Sequence, residues 1–432
     1  MAARRGALPV RMRILGLLFV LSFVNYLLRN NMSVALPSIR EEFGFSSVEI
    51  GWILASFNIA YALFQVPGGI FGDVAGPRLA LTIAAASWGL LSLLTGFAPG
   101  LMAASAAGAM YALMIARFLM GIANAPMFPV AAGTFANWFP VGNWAFPNSM
   151  LSAGLTLGQA AVGPVVTFLI VRYGWRESFY VLAPVGFAAA AWWWWYGRDR
   201  PREHRATTAE EIALIEAGRD NVAATAPSNW RDVLTRPNVL LLAGSYFCMN
   251  YVFYIFSQWL FTYLVEERGF TLLESGLLYA LPFIVGAVLA TLGGLSCDWL
   301  CHRLGPRWGC RLPAVVGLLL VAVLLLAGAE ASNATLAVAL LSLCFGFTQF
   351  TEGAYWSGTT FTAGPHTAAA CGVLNMGGNL AGFLAPVVGL IVDRLGWFAT
   401  LASGSAFAVL AAILWLLVRI GPDVHQHAAE AP

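Results

Sequence analysis

Three charged side chains lie inside long apolar stretches of the sequence. Arg29 and Arg117 fall in the first and fourth stretches, and Glu352 falls in the tenth. A charge at such a depth in a membrane costs about 2.5–3.5 kcal/mol or more, which makes each of these residues a candidate for function. Two cations and one acid leave an excess of positive charge, and an anionic ligand would neutralise it.

Each of these charges also has a structural alternative. Arg29 could extend its guanidinium to the membrane surface beyond Pro37, with its aliphatic part remaining in the apolar layer. Arg117 could bind backbone carbonyl groups at the end of a helix. Glu352 could be paired inside the C-terminal half without any role in function.

Composition sets the class of protein. Of 432 residues, 59% are hydrophobic and 10% are charged, against about 25% charged in ordinary soluble domains. This excludes a cytosolic enzyme, a secreted domain and a disordered chain. The net charge of +2 is too small to indicate nucleic acid as a partner. No nucleophile–base set and no phosphate-binding loop is present, so we expect neither an enzyme nor a cofactor.

Only helices or closed barrels span lipid, and the apolar stretches of this sequence are too long for strands. The sequence therefore predicts an all-α membrane protein with twelve transmembrane helices. The predicted domains are an N-terminal six-helix half (1–196), a charged central loop (197–238) and a C-terminal six-helix half (239–432). The predicted spans are 14–36, 50–72, 79–98, 103–130, 147–171, 178–196, 239–264, 275–296, 312–328, 335–358, 368–392 and 397–419.

Arginine positions predict the orientation. With the N-terminus inside, 16 arginines lie on the cytoplasmic side and five outside. This bias follows the positive-inside rule, so both termini are expected in the cytoplasm.

A short pattern occurs once in each half. Gly69 to Arg78 and Gly294 to Arg307 both contain glycine, a short gap, aspartate and then Gly-Pro-Arg. The glycines would let helices approach closely, and the aspartates could meet an arginine. We expect these loops to act in gating through Asp73, Arg78, Asp298 and Arg307.

The paired loops resemble the signature of the major facilitator superfamily. The segments 25–31, 117–129, 137–140 and 375–379 further resemble the anion:cation symporter family, which includes sugar-acid and carboxylate transporters. The Leu-Leu-Arg-Asn run at 27–30 also resembles the organophosphate:phosphate antiporters. The resemblance covers essentially the whole chain and implies the major facilitator fold.

The resemblance implies a secondary transporter of a small organic anion, with Arg29 as the anion-binding residue. Polar stripes at helical spacing occur on the spans that line the family's cavity. The expected substrate-binding residues are therefore Arg29, Tyr26, Asn25, Tyr61, Gln65, Tyr251, Tyr254, Gln258, Trp356, Asn375 and Asn379.

Two departures from the family pattern affect proton coupling. The family's acids before the span-one arginine and two turns after the span-four arginine are replaced by Leu28 and Asn124, which do not titrate. We therefore expect proton coupling either to be absent or to depend on Glu352. Arg117 and Asn124 are the other residues that we expect to take part in coupling. Anion exchange, facilitated diffusion and a transporter-like sensor remain alternatives.

The expected partners are a small organic anion, with or without a proton, and the lipid bilayer of a bacterial inner membrane, with the protein a monomer. Cys297, Cys301, Cys310 and His302 are close in sequence, but their spacing matches no standard zinc pattern, so no metal is predicted.

Overall fold

A computed structural model describes residues 8–101, 105–140, 145–216, 235–363 and 367–420. Every regular element in these ranges is helical, which confirms the all-helical class. The helices are α1 (Val10–Phe43), α2 (Ser47–Ala75), α3 (Pro77–Leu101), α4 (Ala106–Asn124), α5 (Met127–Trp138), α6 (Ala145–Tyr173), α7 (Trp175–Tyr196), α8 (Ala209–Glu216), α9 (Pro237–Tyr254), α10 (Leu260–Glu266), α11 (Leu272–Glu330), α12 (Ala334–Phe350), α13 (Glu352–Ala363), α14 (Thr367–Leu380) and α15 (Ala385–Leu417).

Within the described ranges, nine helical runs are long and apolar enough to cross a membrane. Two of these runs bend at a glycine with a non-helical backbone, at Gly305 in α11 and at Gly396 in α15. Each bent run covers two of the predicted spans. This is one reason why nine helical runs are found where the sequence predicts twelve spans. The number of crossings therefore stays a prediction.

The chain divides into two compact units. The first comprises residues 1–45 and 56–223, and the second comprises 46–55 and 224–432. In the second unit, the apolar core includes Leu242, Tyr355 and Trp415.

Part of the predicted central loop docks on the first unit. The carboxylate of Glu211 in α8 accepts hydrogen bonds from the backbone N–H groups of Val10 at 3.2 Å and Arg11 at 3.0 Å. These are among the unpaired donors at the start of α1, and a negative charge is favourable there. The loop therefore caps the helix that carries Arg29.

The helical run from Pro237 to Glu266 changes its winding halfway. Residues Ile255–Trp259 form a π segment between α9 and α10. Its i→i+5 hydrogen bonds shift the register, so that residues four apart no longer lie on one line across it. Gln258 lies in this segment and therefore departs from the simple stripe predicted by the sequence.

Candidate functional site

The side chain of Arg29 lies among aromatic rings of the first unit. It is only 6% exposed, so it does not extend to the surface. Its guanidinium carbon lies 4.5 Å from the ring centre of Phe57 and 5.0 Å from those of Tyr26 and Tyr61. Such contacts attract a cation through the ring's quadrupole, and Nη1 of Arg29 also donates a hydrogen bond to the hydroxyl of Tyr26 at 3.5 Å.

Arg117 is the second buried cation of this unit, with 4% exposure. Its Nη1 donates a hydrogen bond to the backbone carbonyl oxygen of Arg29 at 3.0 Å, and its guanidinium carbon lies 4.6 Å from the ring centre of Phe57. The buried Nε of Arg117 has no hydrogen-bond partner among the described residues. The structural alternative thus holds in part, since Arg117 does bind a carbonyl group, and that group belongs to Arg29.

Gly121 brings helix α4 against α2 at this cluster. A Cβ atom at Gly121 would lie 2.4 Å from the carbonyl oxygen of Phe57 and 2.8 Å from the Cβ of Ala60. Only glycine allows this approach, one turn after Arg117. The ring of Phe57 stacks on Tyr61 with centroids 5.8 Å apart and planes at 11°. Close helix packing therefore sets the position of the ring that both cations share.

Neutral side chains, Leu28 and Asn124, occupy the two positions at which the family carries acids. Asn25 Nδ2 donates a hydrogen bond to Asn124 Oδ1 at 2.5 Å, and Asn124 Nδ2 donates to the carbonyl oxygen of Met120 at 2.7 Å. Leu28 is 1% exposed and packs against Gly186 in α7. These positions hold α1 to α4 and α7 without any titratable group.

Acidic residues are rare in the sequence around this cluster. Residues 1–40 contain no aspartate or glutamate, and neither do residues 74–176. The helices that carry Arg29 and Arg117 therefore contribute buried positive charge without a nearby acid in their own sequence. A bound anion would lower the cost of burying these two charges.

The second unit contains a half-buried acid in neutral surroundings. Both carboxylate oxygens of Glu352 accept hydrogen bonds from the hydroxyl of Tyr246, at 3.1 and 3.2 Å, and Oε2 accepts one from Trp356 Nε1 at 2.9 Å. In the described part of the chain Glu352 makes no ion pair. No arginine or lysine occurs between Arg311 and Arg394.

The remaining predicted residues of this unit fall into separate groups. The hydroxyl of Tyr254 donates a hydrogen bond to Asn379 Oδ1 at 3.1 Å, and Asn379 Nδ2 lies 3.3 Å from Asn375 Oδ1. Tyr251 instead stacks on Phe407 at 4.3 Å between centroids and shares a hydrogen bond with Ser403. Trp356 is 39% exposed.

Two residues of these clusters were missed by sequence reasoning. Tyr246 binds Glu352, and its spacing from Asn250 and Tyr254, four residues at a time on one helix, is a signal that could have identified it. Phe57 lies one turn before Tyr61, but no pattern distinguishes it from other apolar residues of α2. Gln65 is half-buried in α2, and the structure brings it into neither cluster.

The paired loops share a backbone conformation. Gly76 and Gly305, the glycines of the two Gly-Pro-Arg segments, have positive φ angles of 81° and 79°. This left-handed conformation favours glycine, and the proline that follows suits the start of a helix. The repeat seen in the sequence therefore corresponds to a repeated turn.

The charged residues of the first turn make different contacts from those expected. The backbone N–H of Arg78 donates to Asp199 Oδ1 at 2.7 Å, and the guanidinium donates to the carbonyl oxygen of Trp194 at 2.7 and 3.0 Å. Asp73, Asp298 and Arg307 are exposed. A gating role for these residues stays a prediction.

Comparison with known proteins shows the family. The Major Facilitator Superfamily profile matches residues 18–386. The chain is 34% identical to a probable sulfoacetate transporter of Cupriavidus necator, over 90% of this chain and 89% of that protein. It is 30% identical to a probable galactarate/D-glucarate transporter of Escherichia coli, over 96% of each, and to a hexuronate transporter of Bacillus subtilis, over 94% of each.

Solved structures show the same fold. A bacterial homologue of the human lysosomal transporter Spinster superposes with a TM-score of 0.75 at 18% identity, covering 96% of this chain and 97% of that one. A D-xylose–proton symporter superposes with a TM-score of 0.70 at 16% identity, covering 94% and 97%. The chain belongs to the Major Facilitator Superfamily, and it is a membrane transporter rather than an enzyme.

Proposed function

We propose that this protein is a secondary transporter of a small organic anion that carries a carboxylate or sulfonate group. Arg29 binds the anionic group, with Tyr26 and Tyr61 beside it. Transport proceeds by alternating access, as in other carriers built from two halves. In the second unit, Tyr254, Asn375 and Asn379 are the candidates for substrate contact.

The observation that carries this proposal is the pair of buried cations over Phe57. A carboxylate or sulfonate can accept two parallel hydrogen bonds from the planar guanidinium of Arg29, which favours arginine over lysine for such groups. Three relatives are named as transporters of sulfoacetate, galactarate/D-glucarate and hexuronate, all of them small organic acids.

Arg117 supports Arg29, and Arg29 is the residue that binds the substrate. Its hydrogen bond to the backbone of Arg29 fixes the height of α1 against α4, and its charge adds to the positive potential of the cluster. Arg117 and Asn124 therefore support the anion site from positions close to it.

Anion exchange is the second candidate for the mode of transport. The replacement of both family acids by Leu28 and Asn124 favours it, since the first unit then lacks a proton carrier in its spans. Proton symport through Glu352 is the first candidate, because a carboxyl group can take up and release a proton and Glu352 makes no ion pair among the described residues.

The proposal includes twelve crossings, with both termini in the cytoplasm of a bacterial cell and the carrier acting as a monomer in the inner membrane. The bends at Gly305 and Gly396 each separate two crossings, and α7 supplies a further one. The arginine distribution supports this orientation.

Ligand-dependent thermal unfolding of the purified protein tests the substrate class. Sulfoacetate, galactarate, a hexuronate, a sugar phosphate and a neutral sugar form the panel. At about 100 times the dissociation constant, a true ligand adds about 2.7 kcal/mol to the free energy of unfolding. Stabilisation by one of the acids, but not by the neutral sugar, is expected, and equal effects of all five compounds would contradict an anion site.

Uptake of the stabilising anion into vesicles distinguishes a carrier from a sensor. A carrier accumulates or exchanges labelled anion, whereas a sensor binds it without uptake. Binding without any flux would therefore retain the anion site and overturn the transport proposal.

A further inference from the structure

Three thiols meet at the bend of helix α11. The sulfur of Cys310 lies 3.8 Å from that of Cys297 and 3.7 Å from that of Cys301. All three sulfur atoms lie within 4.8 Å of one another. Cys297 and Cys301 are one helical turn apart, and Cys310 comes from the other side of the bend.

The backbone around the bend is built for this approach. Gly305 has a positive φ of 79° and turns the chain back on itself. A Cβ atom at Gly309 would lie 2.4 Å from the backbone N and Cα of Cys301, so the two segments touch at that glycine. This contact places the next residue, Cys310, beside the other two thiols, although the spacing in sequence resembles no standard metal motif.

The sulfur spacings suit a metal ion. Thiolates bound tetrahedrally to zinc at about 2.3 Å stand about 3.8 Å apart, which matches two of the three sulfur pairs. A disulfide needs its two sulfur atoms about 2.0 Å apart and would leave the third thiol unused. Soft thiolate ligands select ions such as Zn²⁺ and Cu⁺ over Mg²⁺ or Ca²⁺.

We propose that Cys297, Cys301 and Cys310 bind one thiophilic metal ion, with Zn²⁺ as its representative, and so clamp the bend of α11. Binding exchanges the thiol protons for the metal and releases them to solvent. Three thiolates and one Zn²⁺ carry a net charge of −1. The sequence offers Arg303, Arg307 and Arg311 nearby to balance it, beside the exposed Asp298.

The site is independent of the anion-binding proposal. Cys297 and Cys310 are buried, whereas Cys301 is half-buried, which provides a route for the ion and leaves a fourth ligand position for water. The clamp would tie together the two helical segments on either side of the second Gly-Pro-Arg turn. Occupancy would therefore change the mobility of that turn.

Cadmium titration of the reduced, metal-free, full-length protein tests the site. Cd²⁺ replaces Zn²⁺ and gives an ultraviolet thiolate-to-metal absorption. We expect one ion per chain, release of protons on binding, and protection of Cys297, Cys301 and Cys310 from alkylation. Cys301→Ser should weaken binding at least about tenfold, since a metal–thiolate bond is lost.

Cys371→Ser is the matched control, because Cys371 is also half-buried but lies outside the cluster. It should bind Cd²⁺ like the unaltered protein. Thermal unfolding in the absence of metal shows that both variants are folded. Equal Cd²⁺ binding by Cys301→Ser and the unaltered protein would overturn the proposal, as would alkylation of the three thiols at an unchanged rate in saturating Cd²⁺.

Discussion

Arg117 donates a hydrogen bond to the backbone carbonyl oxygen of Arg29 at 3.0 Å, and the guanidinium groups of both residues lie over the ring of Phe57. Two like charges on one buried ring repel each other. We propose that aromatic contacts and the binding of an anion offset this repulsion. Substrate affinity should therefore depend on the ring as well as on the charges.

Replacement of the shared ring should weaken anion binding. Phe57→Leu removes contacts to both cations. If the bound state loses the equivalent of one such contact, about 0.5–2 kcal/mol, the dissociation constant rises by about 2- to 30-fold. Phe135→Leu is the matched control, because Phe135 is fully buried in the same unit and contacts no cation within the described part of the chain. Equal affinities of the two variants, measured by direct binding, would rule out a role for the ring.

An acid placed at Asn124 should compete with the substrate. Asn124→Asp keeps the shape of the side chain and the acceptor for Asn25, but it adds a negative charge within residues 74–176, which contain no aspartate or glutamate. We expect at least about tenfold weaker binding at neutral pH, because a lost charge-assisted interaction is worth about 1.5–3 kcal/mol.

The same variant gives its own control in a pH series. Acidification should protonate the new carboxyl group and restore affinity, while the unaltered protein changes little over the same range. Binding of Asn124→Asp that stays at the level of the unaltered protein at every pH would show that this position does not sense the anion.

Glu352→Gln should separate coupling from binding. Glutamine keeps an acceptor for the hydroxyl of Tyr246 and the indole of Trp356, but it cannot carry a proton. In vesicles, we expect loss of uptake driven by an imposed pH gradient, with exchange of labelled for unlabelled anion preserved. Gradient-driven accumulation that survives the substitution would assign coupling to another group.

Asp199 should stabilise the first Gly-Pro-Arg turn. Its carboxylate accepts the backbone N–H of Arg78 at 2.7 Å at the start of α3, as a helix cap does. Asp199→Asn retains an acceptor but loses the charge, whereas Asp199→Ala loses both and should cost about 0.5–2 kcal/mol in the free energy of unfolding. Asp73→Ala, at an exposed position of the same turn, is the control and should have little effect on thermal unfolding.

Much of the fold and part of the site could be predicted from the sequence. Long apolar runs predict helices because lipid allows few other backbones, and the Gly-Pro-Arg repeat predicted a matching pair of loops. That both loops contain a glycine with a positive φ angle is seen only in the structure. A charge inside a long apolar run is rare enough that Arg29, Arg117 and Glu352 could be identified from the sequence.

The contacts of these charges could not be predicted. Phe57 looks like any other apolar residue of its helix, and its role depends on the approach that Gly121 allows between α2 and α4. The partner of Arg78 comes from Asp199, which is 121 residues away in the chain. The thiol cluster likewise depends on the bend of α11, since the spacing of the cysteines in the sequence does not predict that Cys310 lies beside Cys301.

Direct binding of the stabilising anion to Arg29 variants tests the central claim. Arg29→Lys keeps the charge but loses the planar pair of donors, and Arg29→Gln loses the charge as well. We expect binding at least about tenfold weaker for lysine and weaker still for glutamine, with both proteins folded by thermal unfolding. Affinities of both variants within twofold of the unaltered protein would contradict Arg29 as the anion-binding residue.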